Sequence, residues 1–150
     1  TLWTARRPAP KEAASYLRIS EDEQVVFVHR IRSIDGEPVA IERMYFPLHV
    51  GKHILDFDAD SGSIHNHLMA QGVEFDNAHR ELTLTCASEE DAAALSCEPG
   101  TPLWRIHIEL SDHAGRPVEY TTNLLRADRM KVGITNVRGT TSPLEVILTD

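Results

Sequence analysis

Arg30 and Arg32 stand two apart in residues 23–32 (EQVVFVHRIR), a run rich in β-branched and aromatic side chains. Residues two apart in a strand share a face, so both guanidinium groups project the same way, beyond Val26 and Val28. Glu42 lies in a second such run, residues 38–46 (PVAIERMYF), on the face it shares with Ala40, Met44 and Phe46. Asp35-Gly36 between the runs signals a tight hairpin. That turn sets Arg32 and Glu42 near one level, with room for a slip of one residue. Guanidinium groups fork onto carboxylate or phosphate, and a neighbouring carboxylate orients them or accepts from a ligand hydroxyl or amine. The chemistry this suggests is recognition of a small anion. A solvated sheet face with a surface ion pair, worth about 0–1 kcal/mol, accounts for the same pattern.

Ser61-Gly62-Ser63 precedes a helical stretch, residues 64–71, that Gly72 stops. Free backbone N–H groups and a serine hydroxyl at a helix start suit an anion, although plain capping explains the serine equally well. In residues 117–126 (PVEYTTNLLR), Glu119, Thr121 and Asn123 share one strand face and Tyr120, Thr122 and Leu124 the other. One set lines a cavity and the other a helix-covered core; the sequence alone does not decide which. Eight histidines raise the question of a metal. His49 and His53 have helical ligand spacing, but Pro47 and Gly51 disfavour a helix there. His65 and His67 face nearly opposite sides of a helix, and no cysteine or carboxylate completes a set at familiar spacing. Neither metal nor cofactor is expected. Nucleophile elbow, phosphate loop and dinucleotide glycine patterns are all missing from the sequence, so no catalytic residue is assigned.

The elements that must hold these groups come mostly as hairpins. Residues 1–10 read as an extended linker arm and residues 11–17 (KEAASYL) as a helix. The hairpin 23–46 ends at Pro47, and residues 48–58 read as a helical turn or loop. Residues 73–86 have a strand pattern, strongest in 80–86 (RELTLTC). Ser88 caps a helix with Glu90 and Asp91 in its first turn. Residues 102–110 and 117–126 form a second hairpin, and residues 144–148 (LEVIL) one more strand. Hairpin connections imply an antiparallel sheet. The expected class is α+β, a central antiparallel sheet of about six strands with helices packed on one face.

A chain of 150 residues fits one domain with a substantial core. The formal net charge is −8, with 23 acidic against 15 basic residues. A domain that grips DNA by itself shows a basic face, so direct DNA contact by this chain is not expected. No stretch approaches the roughly 20 apolar residues of a membrane span, and nothing resembles a signal peptide; the chain reads as cytoplasmic. Cys86 and Cys97 are expected as buried free thiols.

The run at residues 25–47 (VVFVHRIRSIDGEPVAIERMYFP) resembles the opening hairpin of the UTRA domain, the C-terminal effector domain of the HutC branch of GntR-type repressors. The run at residues 100–130 (GTPLWRIHIELSDHAGRPVEYTTNLLRADRM) resembles its closing hairpin, with Asp112-x-x-Gly115-x-Pro117-x-Glu119-Tyr120 and then Asp128-Arg129. Gly62-Ser63-Ile64 and the helix after it match the middle. The likeness covers most of residues 12–135. It implies a chorismate-lyase-like fold, a small-molecule effector, a homodimer, and DNA binding only through a winged helix-turn-helix domain upstream of the residues present. The effector domain proper would then be residues 11–150. In members that bind phosphosugars, the paired arginines, the carboxylate and the serine correspond to Arg30, Arg32, Glu42 and Ser63; the carboxylate of the Glu-Tyr motif corresponds to Glu119. Leu125 and Met130 depart from the aromatics usual at those places, which weakens a sugar phosphate without weakening other anions, such as an organic acid or an amino acid.

The expected site is therefore Arg30, Arg32, Glu42, Ser63, Glu119, Thr121 and Asn123. Effector binding is expected to order residues 48–63 and shift the arm 1–10. An enzyme on the same fold, a lyase for an aromatic acid with Glu119 as acid or base, is the alternative. A bare dimerisation module is a third reading.

Overall fold

Asp35 and Gly36 both take positive φ, 52° and 80°, the conformation of a two-residue turn whose twist suits a hairpin. They join β2 (Gln24–Ile34) to β3 (Glu37–Pro47). Next to the turn Ile34 pairs with Glu37 and Ser33 with Pro38. An unbroken ladder would carry this on to Arg30 opposite Ile41, turning Glu42 to the other face. Instead the register shifts between Arg32 and Ser33. Val39 is the extra residue of a bulge, and beyond it Arg30 faces Glu42 and Arg32 faces Ala40. The bulge is what puts both arginines and the carboxylate on one face.

The structure, a computed structural model, describes residues 3–135 and 145–148. Before β2 come β1 (Trp3–Pro8) and α1 (Lys11–Leu17). After β3 follow α2 (Leu48–Gly51), α3 (Ile64–Ala70), β4 (Asn77–Cys86), α4 (Glu89–Leu95), β5 (Pro102–Ser111), β6 (Pro117–Arg126), β7 (Met130–Gly133) and β8 (Glu145–Leu148). Six strands form one sheet in the order β1-β2-β3-β6-β5-β4, with every pairing antiparallel. β7 and β8 make a separate ribbon. The α+β class and the six-stranded sheet are those expected.

Four expectations need correction. Helices cover both faces of the sheet, not one. Val25, Val26, Phe27 and Val28 are all buried, and a strand apolar on both sides needs cover on both. On one face α2 and α3 pack over Val26, Val28, Met44 and Phe46. On the other, α1 packs over Val25, Phe27, Tyr45 and Tyr120, and α4 over Ile41, Leu103 and Leu124. Second, residues 3–8 of the expected arm are β1, paired with β2 from Trp3↔His29 to Pro8↔Gln24; Thr1 and Leu2 lie outside the described residues. Third, β4 begins at Asn77, not at residue 73. Fourth, Cys86 is exposed, because β4 lies at the sheet edge, and Cys97, just after α4, is half-buried; both are free thiols. Of the last expected strand, 144–148, Leu144 lies outside the described residues and the rest is β8.

Gly51 ends α2 where the helix meets β2. A Cβ there would overlap the Val26 side chain, so glycine is what lets α2 sit directly on the sheet. No helix among the described residues is long and apolar enough to cross a membrane.

Candidate functional site

The face under α2 and α3 changes character along its length. Its upper rows are the apolar core around Val26, Val28, Met44 and Phe46. One row lower it becomes polar: Arg30 on β2, Glu42 on β3 and Asn123 on β6 lie side by side by register. Glu119 and Thr121 precede Asn123 on the same face of β6. The connection from α2 to α3 arches over these groups and leaves a cavity of about 720 Å³, open on one side. All seven expected residues line it. The ambiguity over β6 is thereby resolved: Glu119, Thr121 and Asn123 face the cavity, while Tyr120 and Leu124 face the helix-covered cores.

Arg30 is largely spent on the protein. Its Nε and Nη2 both donate to Glu42 Oε2, at 3.0 and 2.8 Å, and its Nη1 donates to the Ala59 carbonyl at 3.1 Å. The last bond ties the sheet to the arch. Both side chains of the pair are mostly buried, 14% and 13% exposed. Arg32 differs. It reaches Glu42 Oε1 diagonally with one bond at 3.2 Å and keeps 60% of its side chain exposed. Arg32 is therefore the guanidinium with donors to spare for an incoming anion. The expectation of Arg32 level with Glu42 becomes Arg30 level and Arg32 diagonal.

At the deep end Glu119 is 1% exposed, yet it is paired. His65 Nε2 bonds its Oε1 at 2.7 Å and Thr121 Oγ1 donates to its Oε2 at 2.8 Å. Burial alone would lower the His65 pKa, but the hydrogen bond and charge of Glu119 outweigh it and raise the pKa above the ordinary value. Asn123 Oδ1 is buried with no hydrogen-bond partner. An unsatisfied buried acceptor costs about 1–3 kcal/mol, and a ligand hydroxyl or ammonium would relieve that cost. Ser63 caps α3, its Oγ accepting from Asn66 N at 3.2 Å. Its hydroxyl proton stays available to an acceptor in the cavity.

His65 was not among the expected site residues. It enters because the α3 N-terminus lies over β6, a contact spanning 54 positions with no local signal in the sequence. His67, on the other side of α3, bonds the His53 carbonyl at 2.7 Å and stacks on Phe57. Both are accounted for without a metal. Among the described residues Glu74, Asp76 and His113 bring potential ligand atoms within 4.8 Å of one another; all three are exposed, and none lines the cavity.

Residues 2–131 match the family model of the UTRA domain. The chain is 30% identical over 130 residues to the HTH-type transcriptional regulator GmuR of Bacillus subtilis, covering 85% of this chain and 54% of that protein. It is 27% identical over 130 residues to the HTH-type regulator GgaR of Escherichia coli K12, covering 85% and 51%. The chain thus spans about half the length of the curated relatives it matches. Among solved structures, the C-terminal domain of Yurk from Bacillus subtilis superposes with a TM-score of 0.79 at 28% identity, over 85% of this chain and 88% of that one. The ligand-binding domain of a GntR-family regulator from Bordetella bronchiseptica gives 0.77 at 26% identity, over 85% and 80%. These relatives are named as transcriptional regulators, not as lyases. With the bulged hairpin, the six-stranded antiparallel sheet and the polar cavity on it, this match over most of the chain makes the protein a member of the UTRA domain family.

Proposed function

We propose that this chain is the effector-sensing and dimerisation domain of a cytoplasmic repressor of the HutC branch, and that its cavity takes a small anionic metabolite. DNA binding then belongs to a winged helix-turn-helix domain upstream of the residues present. The observation that carries the reading is the cavity itself: a hollow of about 720 Å³ joins a guanidinium with spare donors, Arg32, to a buried unpartnered acceptor, Asn123 Oδ1. The anionic end of the metabolite meets Arg32 and the Ser63 hydroxyl. Its other end presents donors to Asn123 and Glu119, which favours an amino acid, a hydroxy acid or a sugar phosphate over an acid with no hydroxyl or amine. The Bordetella relative named as a ligand-binding domain supports the same reading.

A ligand moves a regulator only as far as it prefers one of two states. The Arg30 bond to Ala59 is the tie between sheet and arch, so an anion drawn to this polar row acts on the arch. β1 runs directly beside β2, the strand bearing both arginines. A shift of β2 is thereby passed to the N-terminal side, where the upstream domain would join. The test is a thermal-shift screen of phosphate, phosphosugars, hydroxy acids and amino acids against their neutral analogues, followed by calorimetry with Arg32→Ala. At 100 times Kd a ligand adds about 2.7 kcal/mol of stability, roughly 5–11 °C for a domain of this size. An anion that stabilises the wild type and loses at least tenfold in affinity with Arg32→Ala supports the reading. Equal affinity in the variant overturns the anion clamp.

A further inference from the structure

Glu119 is a fully buried carboxylate at the deep end of the cavity. Such a group needs donors or a counter-charge to stay ionised. Its own strand supplies one donor, the Thr121 hydroxyl, at 2.8 Å from Oε2. The counter-charge comes from across the cavity. His65, in the first turn of α3, reaches Oε1 through Nε2 at 2.7 Å. Its ring meets Phe75 edge-on, with centroids 5.0 Å apart, and 44% of its side chain stays exposed. Beyond Glu119 on β6, the charged groups that act on it are Glu42 on β3 and Arg30 on β2. β5 offers it the apolar Ile108, and Asp60 of the arch lies at the exposed rim, where solvent screens it. Burial works against the imidazolium, but the hydrogen bond and charge of Glu119 outweigh it and hold the pKa above the ordinary value.

We propose that His65 decides the class of effector: held against Glu119 as an imidazolium, it makes the cavity select an anion whose body carries uncharged hydroxyls and reject one whose body carries an ammonium group. The inference rests on the anion reading above and narrows it. Glu42 is matched by Arg30 and Arg32, and Glu119 by His65, so both inner carboxylates already have cationic partners. Two needs are left among the described residues that line the cavity. One is the guanidinium with spare donors, Arg32, and the other is the neutral acceptor Asn123 Oδ1. A carboxylate or phosphate answers the first and a hydroxyl proton the second.

An ammonium group fits neither need. Against a lone amide oxygen it gives up its hydration without a counter-ion. Beside Glu119 it meets the imidazolium, a like charge. Deprotonation of His65 would free Glu119 for it, and would at the same time set an uncompensated carboxylate near an anionic ligand. Binding and protonation are therefore linked, with opposite signs for the two classes. A hydroxylated anion holds the proton on His65 and binds more weakly as pH rises through the raised pKa; an anion with an ammonium group displaces the proton and gains over the same range.

The test uses the purified chain and two matched pairs of probes: glycerate with serine, and phosphoglycerate with phosphoserine, both phosphorylated on the terminal carbon. Within each pair a hydroxyl replaces the ammonium group on the same carbon. Calorimetry at pH 6 is expected to show the hydroxylated member bound at least tenfold more tightly. Its binding heat is expected to vary with the ionisation heat of the buffer in the sense of proton uptake. His65→Gln keeps a donor for Glu119 without the charge, and circular dichroism checks its fold. The variant is expected to cut the preference at least tenfold and to remove its share of the proton uptake. A histidine that merely props α3 against the sheet would move neither readout. Binding of no probe at millimolar concentration overturns the anion reading and this inference together. An amino probe that binds the wild type as tightly as its hydroxylated partner overturns the role of His65 alone and leaves the anion site standing. So does a preference that is unchanged in His65→Gln.

Discussion

Removing the Glu42 carboxylate tests the division of labour between the two arginines. In Glu42→Ala, Arg30 keeps only its bond to the Ala59 carbonyl and loses both charge-assisted bonds to Oε2. A buried ion left without its partner costs about 3–5 kcal/mol. Arg30 is 14% exposed and retains one acceptor, so about 2–4 kcal/mol is expected. Arg32→Ala removes one bond at 3.2 Å from a side chain 60% exposed, worth about 0–1 kcal/mol. Replacing both buried partners, as in Arg30→Met with Glu42→Leu, deletes the stranded charge; the double variant is expected to be more stable than Glu42→Ala by at least about 1 kcal/mol. Urea unfolding followed by circular dichroism measures all three, read from midpoints at constant slope. If Arg32→Ala costs as much as Glu42→Ala, or Glu42→Ala is neutral, then Arg30 is not committed to the protein and the assignment of Arg32 as the free cation fails.

Three further outcomes are expected. The raised His65 pKa means the folded state holds that proton more tightly than the unfolded chain. The stabilisation is therefore full below the ordinary histidine value of 6.5 and is lost as pH rises through the higher folded value. Urea melts between pH 6 and 9 should show this fall, and His65→Gln should flatten it; an unchanged profile in the variant refutes the pairing. Gly51→Ala forces a methyl group into Val26, with an expected cost of about 1–3 kcal/mol by thermal unfolding; a neutral result would mean α2 does not rest on β2. Asn123→Leu removes a buried acceptor that has no partner, so it should leave the free protein as stable or more stable while weakening the effector at least tenfold in calorimetry. Weaker stability with unchanged affinity would refute that role.

The hairpins were legible because their signals are local: Asp35-Gly36 marks one turn and Asp112 to Pro117 another. Two-residue spacing put Arg30, Arg32 and Glu42 on one hairpin and Glu119, Thr121 and Asn123 on one face of a later strand, which is where β2, β3 and β6 carry them. Register was less legible, since a bulge at Val39 leaves no mark in the composition yet decides which face Glu42 takes. The cover on both faces has its mark in Val25 to Val28, four apolar residues in a row that are all buried. The half-polar look of β4 resembles a strand packed on one side; only the strand order shows it as an edge, with Cys86 exposed as a consequence. His65 was out of reach, because its meaning comes from Glu119 across the fold.

The central claim is that the polar row on the sheet is a binding site for an anion with a donor-bearing body. A crystal structure of the chain with the anion that stabilises it most in the thermal-shift screen tests this most directly. The expected result is ligand density bridging Arg32 and Ser63 at one end and Asn123 at the other, with the Arg30–Glu42 pair intact. Density at another surface, with only solvent between Arg32 and Asn123, would contradict it.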